Sequence, residues 1–175
     1  MIRIVIMSDW GDLVSKTEKR MMRCCFTGHR PEKLNANEEE IKQSLTIAID
    51  SALAAGKRTF ISGMARGVDI WAAELVLQRR MEDSSIHLIC AVPHPSFEKR
   101  WGAQWQRRYQ KVLQDADLVR MITPAFSMGS YQARNEWMVD RSSLVIAVFN
   151  GEPGGTRNTV DYAKAHGVPV TVIDI

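Results

Sequence analysis

The chain has 175 residues, 45% apolar and 25% charged, with a formal net charge of +3. That length suits one domain able to bury a core without disulfide or metal staples, and the near-average composition excludes disordered, collagen-like and coiled-coil chains. No apolar run approaches the roughly 18 residues of a membrane span, and three cysteines without a CxxC pair or histidine cluster supply neither a disulfide framework nor a metal site.

The expectation is a cytoplasmic protein with no metal, no membrane partner and no certain cofactor. Charge is unevenly spread, however. Within residues 97–111, Lys99, Arg100, Arg107, Arg108 and Lys111 stand against Glu98 alone, so the positive excess lies in one segment.

Residues 1–7 alternate apolar side chains ahead of a polar stretch over residues 8–20. They lack the long apolar region and cleavage site of a signal peptide. Residues 1–21 read as an N-terminal extension upstream of a natural start at Met21 or Met22, with an extra edge strand as the alternative.

From Arg23 onward the pattern becomes regular. Residues 23–27 form a short buried strand, in which adjacent Cys24 and Cys25 face opposite sides, and Gly28, His29, Arg30 and Pro31 break it. Asn37 offers a helix N-cap with Glu40 three residues on. Ile41, Leu45, Ile49 and Leu53 then recur every four residues until Gly56. A second strand at 58–62 runs into a helix through Arg80, and a third at 86–92 is stopped by Pro93 and Pro95. A helix over about 99–114 leads to strand 118–122, and a helix near 132–141 to strand 144–149. A glycine-rich loop and a helix to His166 precede the last strand, 168–173.

Six near-continuous apolar strands separated by helices predict one α/β domain, a doubly wound, mostly parallel sheet with helices on both faces. Ligands of such sheets bind beyond the carboxyl ends of the strands, where strand order reverses. The segments following the strands are therefore the places to seek function.

After the first strand, Gly28 permits close backbone approach or positive φ, and Arg30 presents a planar fork to phosphate or carboxylate. His29 belongs to the same turn and is counted with the site, as a turn or packing residue rather than a general base. After the second strand, the small residues Ser62, Gly63, Ala65 and Gly67 leave backbone N–H groups exposed where a helix starts, a cradle for an anion. Asp69 caps that helix, orients a ribose hydroxyl or supports the loop. The lysine of a phosphate-loop NTPase and the full GxGxxG fingerprint are absent, which argues against ordinary ATP hydrolysis and dinucleotide redox chemistry. After the fifth strand, Gly154, Gly155 and Thr156 again offer backbone donors and a hydroxyl. Arg134, Asn135 and Glu136 start the helix before that strand, near the same edge or in surface salt bridges.

The run Ser62-Gly63-Met64-Ala65-Arg66-Gly67-Val68-Asp69 is similar to the SGxAxGxD motif of DprA DNA-processing proteins, and Gly28-His29-Arg30-Pro31 resembles the corresponding turn of YpsA-like proteins. Residues 22–175 thus resemble the SLOG superfamily, the Rossmann-like group that includes DprA, LOG and YpsA proteins. The resemblance implies a nucleotide-binding domain. The LOG branch cleaves the N-glycosidic bond of nucleoside monophosphates with a PGGxGTxxE loop and a preceding arginine. Here Pro153-Gly154-Gly155 matches, Asp161 takes the glutamate position and Arg134 falls near the arginine. Arg157 and Asn158 replace the Gly-Thr pair, and an aspartate is one methylene short of a glutamate.

The first reading is binding of a nucleotide or nucleotide-derived, ADP-ribose-like small molecule by Gly28, His29, Arg30, Ser62, Gly63, Ala65, Gly67, Asp69, Gly154, Gly155 and Thr156, as a sensor or regulatory module. The second is phosphoribohydrolase activity drawing on Arg134 and Asp161. The third, binding of single-stranded DNA, rests on the stripe Trp101, Trp105 and Tyr109 with cations around it, a spacing that more often marks a packing or homo-oligomer face.

Overall fold

The computed structural model describes residues 15–174. The edge-strand alternative for residues 1–7 lies outside the described residues.

Six strands form one all-parallel sheet in the order β4-β3-β2-β1-β5-β6: β1 (Arg23–Gly28), β2 (Thr59–Ser62), β3 (His87–Val92), β4 (Leu118–Met121), β5 (Leu144–Val148) and β6 (Val170–Ile173). The helices are α1 (Lys16–Met21), α2 (Glu38–Ala54), α3 (Val68–Glu82), α4 (Ala103–Asp115), α5 (Ser130–Asp140) and α6 (Gly155–Ala165). The chain builds outward from β1 to β4, then returns to lay β5 on the other side of β1. Strand order therefore reverses between β1 and β5, which opens a crevice beyond their carboxyl ends.

The period-two alternation of β1 divides the core. Cys24 and Phe26 face α2, α3 and α4, and the Phe26 and Phe60 rings stack at 5.8 Å. Cys25 faces the other way, packing with Ile61, Ile89, Ala91, Met138 of α5 and Ala163 of α6. Registers Cys24↔Phe60 and Cys25↔Val145 align these layers across the sheet. Edge strand β4 has no helix of its own over it; Leu118, Val119 and Met121 stay exposed, unlike the buried apolar strand expected there.

The predicted capping box forms in both directions at 3.0 Å between Asn37 and Glu40, and Ile41, Leu45 and Ile49 are buried beneath it. Helix α4 starts at Ala103 rather than near 99. Residues 96–101 turn instead, with the Gln106 amide donating to the Glu98, Lys99 and Trp101 carbonyls, which swings Phe97 inward. Strand β6 begins after Pro169, whose carbonyl accepts from Val145.

Helix α1 was overlooked in the polar stretch, although Ser15 and Glu18 form a capping box. Its end is tied beneath the sheet. The Lys57 ammonium donates to the Met21 carbonyl at 2.7 Å and to Ser143 at 2.6 Å, and the Met22 carbonyl accepts from Arg58 and Thr59. No helix among the described residues is long and apolar enough to cross a membrane.

Candidate functional site

The crevice between β1 and β5 opens into a cavity of about 460 Å³. The turn after β1 supplies Gly28, His29, Arg30 and Lys33 to its wall. Gly28 is required by close approach: a Cβ there would sit 2.5 Å from the Val68 side chain, where α3 crosses the strand. The His29 ring is buried, pairs with Asn150 Oδ1 at 2.8 Å and packs against Phe149, joining the β1 and β5 loops across the switch point. Arg30 and Lys33 are exposed, so their charges stand at the rim.

The loop after β2 folds back on part of its own cradle. The Ser62 hydroxyl donates to the Asp69 carbonyl at 2.8 Å and accepts from the Met64 N–H at 3.1 Å. The Ala65 N–H donates to Asp69 Oδ2 at 3.2 Å. Gly67, at φ +88, packs against the Pro31 ring, and a Cβ on Gly63 would run into Arg134 and Asp69. Ser62, Gly63 and Gly67 therefore stand behind the lining and hold its shape, while Ala65 and Asp69 reach it. Its own side chains thus take the Met64 and Ala65 N–H groups, while α3 starts after Gly67 with no side-chain cap.

The loop after β5 also leaves its helix start open. Gly151 and Gly154 take positive φ, at +87 and +144, and α6 begins at Gly155 with no side-chain cap on its first amides. Gly154, Gly155 and Thr156 line the cavity, so the positive end of α6 faces it.

Helix α5 closes the floor with Arg134, Asn135 and Met138. Arg134 is 6% exposed; its guanidinium donates to the Gly63 carbonyl and lies 3.6 Å from Asp69 Oδ2. Its Nε is buried without a hydrogen-bond partner. Burial pushes the Asp69 carboxyl up to about 6, against the opposing pull of Arg134 and the Ala65 N–H. Burial likewise lowers Arg134, offset by Asp69.

Of the other sequence candidates, Asp161 is exposed on α6 outside the lining, and Glu136 accepts from Gln132. Phe97, Tyr131, Met138 and Lys33 were not singled out, yet line the cavity. Helical spacing from Arg134 reaches Tyr131 and Met138, but a helix begun at Gln132 leaves Tyr131 out. The basic helix is partly self-neutralised: Arg108 pairs with Glu38 and Glu74 at 2.7 and 2.6 Å, and Lys111 with Asp115. Trp105 and Tyr109 pack inward, Trp105 beside Trp71 and Tyr109 at 3% exposure. Among the described residues, no group of three or more His, Cys, Asp or Glu could hold a metal ion.

The chain is 30% identical over 138 residues to the SPbeta prophage-derived protein YoqJ of Bacillus subtilis (strain 168), covering 71% of this chain and 81% of that one. It is 28% identical over 168 residues to a UPF0398 protein of Lactobacillus gasseri, covering 88% of each. The fold is similar to DNA processing protein A of Helicobacter pylori, described for its single-stranded DNA binding mode, with a TM-score of 0.62 and 19% identity over 90% of this chain and 66% of that one. DprA of Streptococcus pneumoniae gives a TM-score of 0.62 and 16% identity, over 89% of this chain and 51% of that one. The chain thus spans about two thirds and one half of those two solved chains. The YpsA family model, described as the YspA SLOG family, matches residues 24–175. The chain belongs to the YspA SLOG family.

Proposed function

We propose that the β1–β5 cavity binds a nucleotide or nucleotide-derived small molecule, of the size and charge of ADP-ribose or a mononucleotide, and that the domain acts as a sensor or regulatory module. The observation that carries this reading is the uncapped N-terminus of α6 sharing one cavity with the buried Arg134 guanidinium. Both favour an anion, and Arg134 Nε has no partner of its own. The location supports it too, since open α/β sheets take ligands at the switch point. A volume near 460 Å³ lies within the range of small-molecule sites, about 300–1,000 Å³. That a similar fold in Helicobacter pylori binds single-stranded DNA supports a nucleotide or nucleic-acid ligand in general terms.

The test is thermal shift with a panel of AMP, ADP, NAD and ADP-ribose. A ligand at a hundredfold excess over its Kd stabilises by about 2.7 kcal/mol, which is several degrees for a domain of this size. No shift at millimolar concentration from any of the four overturns the reading.

Hydrolysis of a nucleoside monophosphate is the second reading. What favours it is Asp69, a cavity carboxyl held near 6 and so available as a proton donor. In that case Asp69 rather than the exposed Asp161 serves the reaction. Release of free base that survives Asp161→Asn and disappears in Asp69→Asn is the expected pattern; turnover unchanged in Asp69→Asn overturns it.

A further inference from the structure

The cavity lining combines two chemistries: glycine-rich loops with the cations Arg30, Lys33 and Arg134, and the apolar or aromatic side chains of Phe97, Tyr131 and Met138. Resting on the nucleotide reading above, we propose that Tyr131, backed by Phe97, is the wall against which the aromatic base of the nucleotide lies. The phosphate would lie over the α6 N-terminus, which lines the same cavity.

Tyr131 differs from the aromatic residues that merely fill the core. It is 37% exposed, whereas neighbouring Phe97 and Tyr109 are 8% and 3% exposed. Phe97, His94 and Phe126 all meet its ring at steep angles, at centroid distances of 5.7, 5.7 and 6.3 Å. None of these rings lies parallel to Tyr131, so among the described residues no protein ring occupies a stacking position on it.

The ring is also held in place. His94 Nδ1 is 2.9 Å from the Pro95 carbonyl, so that nitrogen carries the proton and Nε2 accepts from the Tyr131 hydroxyl at 3.4 Å. Ser130, fully buried beside Tyr131, bonds Thr123, Ser127 Oγ and the Ser127 N–H. That network fixes the first turn of α5 on which Tyr131 stands. A fixed, amphipathic ring exposing area to a cavity that also holds phosphate donors is suited to a nucleobase.

The experiment titrates the full chain with AMP, ribose 5-phosphate and inorganic phosphate by calorimetry, in wild type, Tyr131→Ala and Tyr131→Phe. Base–aromatic stacking corresponds to about tenfold or more in affinity. The expected result is that wild type and Tyr131→Phe bind AMP at least about tenfold tighter than ribose 5-phosphate, and that Tyr131→Ala loses this margin while its ribose 5-phosphate affinity holds. Equal wild-type affinities for AMP and ribose 5-phosphate overturn the aromatic wall and leave the anion site standing. Equal losses for both ligands in Tyr131→Ala also overturn it. Absence of binding by all three probes overturns the wall, and the nucleotide reading falls with it only if ADP, NAD and ADP-ribose also give no thermal shift. The wild-type comparison decides the point even if Tyr131→Ala fails to fold.

Discussion

Arg134 of α5 and Asp69 of α3 face each other at 3.6 Å on the cavity floor, both more than nine-tenths buried. Each charge is costly to bury alone, and their pairing is what allows either to remain there. Together they join the two faces of the sheet beneath the cavity. The guanidinium also holds the β2 loop through the Gly63 carbonyl.

This pair gives the protein a specific pH response. The folded carboxyl of Asp69, near 6, lies above its unfolded value of about 3.9. The associated stability is full below that unfolded value and is lost as pH rises through about 6. Urea melts of wild type and Asp69→Asn should therefore diverge with pH. The variant gains on wild type between pH 4.5 and 8, by about 2 kcal/mol. Parallel profiles would show that Asp69 does not titrate in this window.

Anion affinity should follow the same proton. Protonating Asp69 removes a negative charge from the floor, so binding of sulfate tightens as pH falls through about 6. Sulfate is the right probe because phosphate esters change charge near the same pH, with a second pKa of about 6. Calorimetric titration should give this slope in wild type and a flat profile in Asp69→Asn.

Crowding at two glycines yields a structural prediction. Gly28→Ala drives a Cβ into Val68, and overpacking of this kind costs about 1–3 kcal/mol. Adding Val68→Ala should recover part of that loss, giving a non-additive double-mutant cycle in chemical denaturation. Gly63→Ala meets Arg134 and Asp69 instead, so it should impair sulfate binding as well as stability.

Lys57 anchors the end of α1 through Met21 and Ser143. Lys57→Met should destabilise the domain by about 1.5–3 kcal/mol, the range for a hydrogen bond to a charged group, without changing ligand affinity. Equal melting temperatures would show that the anchor is energetically idle.

Much of this organisation was legible in the sequence because it is local. The Asn37–Glu40 box, the four-residue spacing of Ile41, Leu45 and Ile49, and the opposite faces of Cys24 and Cys25 each depend on one element's periodicity. Gly28 stands where close approach was expected, and after β5 the glycines run into a helix as their pattern suggested. The β2 loop was harder. Its donors look free in sequence, and only the fold reveals that Ser62 and Asp69 take two of them, the Met64 and Ala65 N–H groups. Tyr131 escaped notice because helix α5 begins two residues earlier than its pattern suggested, and Phe97 because Gln106 stabilises turns where a helix was expected. Likewise, no periodicity reveals that Arg108 is claimed by Glu38 and Glu74 from two other helices.

A β1–β5 cavity that binds the phosphate of a nucleotide would do so through Arg134, the rim cations and the α6 N-terminus. Calorimetric titration of AMP and ADP-ribose into wild type and an Arg30→Ala/Lys33→Ala variant tests it most directly, because both side chains are exposed and their loss spares the core. The account predicts saturable one-to-one binding by at least one of the two, weakened about tenfold in the variant, the equivalent of about 1.4 kcal/mol. No heat from either nucleotide at millimolar concentration, or identical affinities in both proteins, would contradict it.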